Sequence, residues 1–130
     1  MTSSAPRSRA RDMGLVFLGG TLGTAARLIV MLLVGDAAGL VTVNLAGAFL
    51  LGIVTAVLTR SPSARHRRAH LLLGTGALGG FTTYSALALS ATDLAGLLMA
   101  CIVAIAGVAA AALGFGVGGI RTRWRRSSDG

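Results

Sequence analysis

Apolar residues run through this chain in long blocks, not in strict alternation and not in one-sided stripes. Met13 to Val34 is the first block, interrupted by one charge at Arg27. Gly35 and Asp36 to Gly39 read as a short turn, and Leu40 to Leu58 is the second block. Thr59 to Arg68, TRSPSARHRR, reads as a polar loop. Leu71 to Ala91 is the third block, Thr92 and Asp93 a tight turn, and Leu94 to Ile120 the fourth block. A bilayer crossing needs about 20 apolar residues, and every block reaches or approaches that length. Neither Pro6 nor Pro62 falls in a block. The pattern predicts an all-α integral membrane protein, with four transmembrane helices at about 13–34, 40–58, 71–91 and 94–120. Residues 1–12, MTSSAPRSRARD, read as a disordered basic cytoplasmic tail, and 121–130 as a second basic tail. A signal peptide competes for the first block. Against it, the run continues past Arg27 with no clear small-residue cleavage site followed by a soluble domain.

The third block is the irregular one. Where an unbroken membrane helix is expected it holds GTGALGGFTTYS, with Gly74, Gly76, Gly79 and Gly80 followed by Thr82, Thr83, Tyr84 and Ser85. Adjacent glycines weaken a helix because they lose the most backbone entropy on ordering. Unwound backbone at membrane depth is tolerated where protein buries it or where it lines a wet cavity, and its released carbonyls and amides can face ions. One reading is therefore a broken third helix that builds an ion site. The other is a continuous helix whose small residues allow close packing.

Composition supports the membrane assignment: 54% of residues are hydrophobic and 12% charged, against roughly 25% charged in soluble domains. Charge adds an orientation. Every cation is arginine, and with four crossings Arg7, Arg9, Arg11, Arg60, Arg65, Arg67, Arg68, Arg121, Arg123, Arg125 and Arg126 fall on one side, with only Asp36 and Asp93 on the other. The positive-inside rule then puts both termini in the cytoplasm. The same rule accounts for the net charge of +8 without a nucleic-acid partner. Cys101 is the only cysteine, so no intrachain disulfide forms and no metal cluster is suggested.

A few polar residues inside the blocks carry candidate chemistry. Arg27 is the only basic residue within a crossing; intramembrane charges face a bundle interior or water, although Arg27 could also snorkel to an interface. Gly19 and Gly23 before it form a small-xxx-small pair. Asn44 needs partners in a low-dielectric setting, so its amide either donates to a passing anion or bonds across a helix interface. Thr42 is a weaker candidate, able to satisfy itself on its own helix. The hydroxyls of Thr82, Thr83 and Ser85 can donate to a small hard anion, and Tyr84 offers an electropositive ring edge or serves as an interfacial tyrosine. His66 and His70 read as solvated, Trp124 as an interfacial anchor, and the fourth block as a packing helix. No aspartate or glutamate lies within a block, which argues against a proton-coupled exporter. Nothing resembles a catalytic constellation, so an enzyme is not expected.

Taken in order, GGTLGTAAR, VNLAGAFLLG and GALGGFTTYS resemble the CrcB/Fluc family of bacterial fluoride channels over nearly all of residues 13–120. The resemblance implies a fluoride-specific channel subunit in the bacterial cell membrane that passively exports cytoplasmic fluoride and relieves its toxicity. It implies an antiparallel dimer with two pores and a central structural sodium ion on the backbone carbonyls of Gly79 and Thr82. It also implies a pore asparagine at Asn44, the first-helix arginine at Arg27, and an anion pathway along Thr83, Tyr84 and Ser85.

The chain departs from the family pattern in the pore. TTYSALA stands where TTFSTFS is usual, so Tyr84 and Leu87 replace phenylalanines and Ala86 and Ala88 occupy positions that are often hydroxylic. In the fourth block Ala104 and Val108 flank Gly107 where polar residues are common. An antiparallel pair of identical chains needs one sequence to insert both ways, whereas the arginine bias here favours one orientation. The expected assembly is therefore a dimer with a second, oppositely oriented homologous subunit, surrounded by membrane lipid. The alternatives are a non-conducting structural partner in such a dimer and a small four-helix exporter.

Overall fold

The computed structural model describes residues 6–59, 63–89 and 91–128, and the side chains within 9–59, 63–89 and 91–120. Among the described residues all regular structure is helical, with no strand. Helix α1 is Pro6–Val34 and α2 is Asp36–Leu58. A third run, α3, covers residues 64–81 in three consecutive pieces: Ala64–Ala69, a wide π-type segment His70–Leu78, and a single turn Gly79–Phe81. Helix α4 is Tyr84–Leu89 and α5 is Leu94–Ser128. Among the described residues three helical stretches are long and apolar enough to cross a membrane: Arg9–Val34, Asp36–Leu58 and Leu94–Ile120.

Several ends differ from expectation, each for a local reason. Helix α1 starts at Pro6, so much of the stretch expected as a disordered tail is helical; proline suits a first helical position and arginine is a good helix former. Helix α5 likewise continues through the basic stretch to Ser128. The turn after α1 shrinks to Gly35 alone. Its φ of 93° is open to glycine without strain, its N–H donates to Met31 C=O at 2.9 Å, and α2 begins at Asp36 instead of Leu40. Most of the expected TRSPSARHRR loop after Ser63 is helical, with Ser63 Oγ accepting from His66 N–H. Asp93 starts α5 by accepting from Gly96 N–H at 2.7 Å. Arg60, Pro62 and the side chains of Arg7, Arg121, Arg123, Trp124, Arg125 and Arg126 lie outside the description.

Packing follows the rule for helices in lipid, where small residues sit between helices and large apolar ones face outward. Helix α1 lies along α3 in parallel, through Gly19 and Gly23 on one side and Gly76 and Gly80 on the other. A Cβ at Gly23 would run into the Ala77 carbonyl, and one at Gly80 into the Gly20 carbonyl. Helix α2 lies along α5 in the same way: a Cβ at Gly52 would meet the Ala111 carbonyl, and one at Gly114 the Phe49 carbonyl. The buried apolar core is small, with Leu40, Leu87 and Val103 at its centre. Phe17, Leu32, Leu33, Leu94 and Ile105 are all largely exposed.

Candidate functional site

The glycines of the third run do not break it. Gly74 and Gly76 are buried within the π-type segment, and Gly79 N–H still finds acceptors in the Gly74 and Gly76 carbonyls. The helical path stops two residues after Gly80: Thr82 is extended at φ −73°, ψ 153°, and the chain becomes helical again at Tyr84.

The hydrogen bonds at this junction explain how it is held. In an uninterrupted helix Thr83 N–H would donate to Gly79 C=O; here it donates to Asn44 Oδ1 of α2 at 2.9 Å. Ala86 N–H would donate to Thr82 C=O; here it reaches Thr83 Oγ1 at 3.3 Å, so Thr83 caps α4. The carbonyls of Gly79 and Thr82 thus lose their helical partners together. Thr24 Oγ1 of α1 reaches the carbonyl between them in sequence, Gly80 C=O, at 3.4 Å. Thr82 Oγ1 turns back onto Leu78 C=O at 3.0 Å.

Asn44 is anchored on both sides of its amide. Nδ2 donates to Leu40 C=O at 2.9 Å, while Oδ1 takes the Thr83 amide; the latter fixes which way the group faces, since an N–H needs an acceptor. This is the cross-helix bond, and it leaves the second Nδ2 proton uncommitted. Thr42 bonds Ala38 C=O at 2.8 Å on its own helix.

Beside the junction a concavity of about 310 Å³ opens between α1 and α4, lined by Thr24, Arg27, Thr83 and Ser85 on its polar side and by Met31 and Leu89 on its apolar side. Thr83 and Ser85 hydroxyls lie 3.4 Å apart. Thr83 is buried and Arg27 half-buried, and Arg27 has no hydrogen-bond or ion-pair partner among the described residues. A half-buried guanidinium beside two hydroxyls, with no carboxylate in the lining, favours an anion. Arg27, Thr83 and Ser85 therefore come together, and Asn44 joins them through Thr83. Tyr84 does not, being 82% exposed and outside the lining. Sequence reasoning missed Thr24; its signal was its place one turn before Arg27, on the same helix face.

Leu87 packs in the core with Leu40 and Val103. His66 and His70 are half-buried, with His66 Nδ1 3.1 Å from Ser63 Oγ. The released carbonyls of Gly79 and Thr82 suit a hard cation, which takes oxygen ligands. Gly79 is exposed, and beyond ordinary van der Waals contact with the Gly74 carbonyl its Cβ position is open.

A sequence profile of the family described as CrcB-like protein, Camphor Resistance (CrcB), matches residues 14–120. The chain is similar to fluoride-specific ion channel FluC 2 of Leifsonia xyli, 45% identical over 69% of this chain and 64% of that one. It is similar to FluC 1 of Cutibacterium acnes, 45% identical over 61% of this chain and 60% of that one. Both matches span less than two thirds of the relative's length. With the fluoride-specific ion channel FluC of Cereibacter sphaeroides the identity is 39%, covering 82% of this chain and 91% of that one.

Proposed function

The chain belongs to the CrcB family, and on that premise we propose that it is a subunit of a fluoride-specific channel, exporting cytoplasmic fluoride passively across the bacterial cell membrane. The observation that carries this reading is the junction at Thr82–Thr83. There Asn44 holds the interrupted backbone and an unpaired Arg27 faces the Thr83 and Ser85 hydroxyls across one concavity. Fluoride is small and strongly hydrated, so a pathway has to replace its water with donors. A guanidinium, two hydroxyls and the remaining Asn44 proton are such donors. Tyr84, turned outward on this subunit, belongs to a pathway completed by a second chain.

Four crossings with both termini in the cytoplasm account for the one-sided arginines. The third crossing is then α3 with α4, in two halves. A structural sodium ion fits the carbonyls of Gly79 and Thr82, whose helical donors are diverted to Asn44 and Thr83. When bound, it would supply a positive charge, with the carbonyl oxygens of Gly79 and Thr82 as its ligands.

The partner is a second homologous subunit in the opposite orientation. The arginine bias supports this, as do the numbered names of the relatives, FluC 1 and FluC 2. A non-conducting structural role has its own support: Leu87 points into the core, and Ala104 and Val108 leave the neighbouring face of α5 without a polar group.

Fluoride efflux from liposomes, read with a fluoride electrode, tests the proposal. The expected result is little efflux from this chain alone and rapid, chloride-excluding efflux once the second homologue is added. Robust efflux from the chain alone overturns the paired assembly but not the channel. No fluoride efflux in either case overturns the channel itself.

A further inference from the structure

The end of the molecule where α1 begins carries more positive charge than its own acid can neutralise. Arg67 of α3 grips Asp12 of α1 with both nitrogens, Nη1 to Oδ2 at 2.6 Å and Nη2 to Oδ1 at 3.1 Å. This two-pronged bond ties the start of α3 to the start of α1. Arg68 lies close enough to act electrostatically on the same carboxylate. Arg9, Arg11, Arg65 and Arg68 are all exposed and have no hydrogen-bond or ion-pair partner among the described residues. Among the described residues Asp12 is the one acid at this end, it is already engaged by Arg67, and these guanidinium groups have no described counter-anion.

Their position says what anion they meet. Arg11 stands two residues before Met13, which is 72% exposed, and Phe17, one turn further, is 74% exposed. At 1.5 Å rise per residue the backbone of Arg11 lies about 3 Å along the helix axis from that of Met13, and the Arg67–Asp12 bond brings the start of α3, with Arg65 and Arg68, to the same end. That depth is the headgroup layer. We propose that Arg9, Arg11, Arg65 and Arg68 form a docking surface for the phosphodiester headgroups of anionic phospholipids. The close α1–α3 seam at Gly19, Gly23, Gly76 and Gly80 holds the two pairs at one end, and Asp12 there occupies a further guanidinium, that of Arg67. Guanidinium matches a phosphodiester with two parallel N–H bonds, so the surface selects charge and not acyl chain. The surface is independent of the channel reading, and the test below does not measure fluoride.

The experiment is native mass spectrometry of the full chain released from detergent after titration with dioleoyl phosphatidylglycerol or dioleoyl phosphatidylcholine. The expected result is preferential retention of phosphatidylglycerol. Removing two arginines, as R65Q/R68Q or as R9Q/R11Q, weakens phosphatidylglycerol retention roughly tenfold and leaves phosphatidylcholine retention unchanged. Asp12→Asn acts in the opposite direction, because it releases Arg67 to a headgroup; a variant that merely misfolds would not gain lipid. Equal retention of the two lipids overturns the proposal, as does an unchanged preference in both double variants. Displacement of the lipid by millimolar inorganic phosphate, or by a short RNA at equal concentration, also overturns it, by showing a surface that reads free phosphate or nucleic acid.

Discussion

Asn44 and Arg27 are both half-buried polar residues on otherwise apolar helices, yet their surroundings give them different work. Asn44 is bonded on both sides of its amide, and the Thr83 N–H it accepts has no helical alternative at the junction. Asn44→Leu keeps the volume and strands that amide, at about 1–3 kcal/mol. The unfolding midpoint in detergent is expected to fall by roughly 5–15 °C; an unchanged midpoint would show that the bond does not hold the junction. Arg27 has no partner to lose among the described residues, so Arg27→Gln removes a charge that is costly in the membrane. Fluoride efflux from the conducting assembly should drop about tenfold or more while the midpoint stays or rises. A lower midpoint with intact efflux would make Arg27 a structural lock. Both residues stood out in the sequence because polar groups are rare in such blocks. Their partners did not, since Thr83 lies far along the chain from Asn44 and reaches it only once α2 and α3 are side by side.

At the scale of elements the helix pairs are joined by glycine seams. Large side chains gain nothing by hiding from lipid tails that are equally apolar, so close backbone approach and dispersion supply the attraction. Gly23→Ala drives a methyl group into the Ala77 carbonyl, and the seam between α1 and α3 has to open. The expected loss is about 1–3 kcal/mol, measured by titrating the folded protein from mild detergent into dodecyl sulfate. Gly14→Ala on the same helix meets nothing within 4 Å and should stabilise by about 0.5–1 kcal/mol. Equal effects from both would rule out the seam. The glycines of the third run belong to this account as well: Gly76 and Gly80 pack against α1, and the helix passes through them before it stops at Thr82. Their weakness as helix formers was legible in the sequence. That Thr83, by capping α4 and giving its amide to α2, fixes where the path is interrupted was not.

For the whole molecule, a thin core and an apolar exterior mean that solvent for most of the surface is lipid. The bond between Asp12 and Arg67 brings the first and second arginine groups to one end of the bundle, as the charge pattern anticipated. The pair is exposed, so it positions that end without contributing much to stability. Reporter fusions at Gly130 should appear on one face of the membrane only. Appearance on both faces would remove the main support for a second, oppositely oriented subunit.

The order of residues alone is enough for the helical class and for the approximate limits of the first, second and fourth apolar blocks, and it supports the proposed sidedness of the charge. All three depend on local composition: the hydrocarbon thickness sets block length, and arginine is excluded from it. Helix ends were legible only within several residues, because arginine-rich flanks continue a helix past the expected bilayer boundary. The polar pattern and the family resemblance singled out Arg27, Asn44, Gly79 and Thr82–Ser85, but which of them meet depends on how the helices pack. Thr24, Arg27, Thr83 and Ser85 share one concavity, Asn44 is bonded to its rim, and Tyr84 and Leu87 turn outward and inward from it. That sorting depends on where a buried N–H finds its acceptor once the helical one is gone, and the acceptor is on another helix.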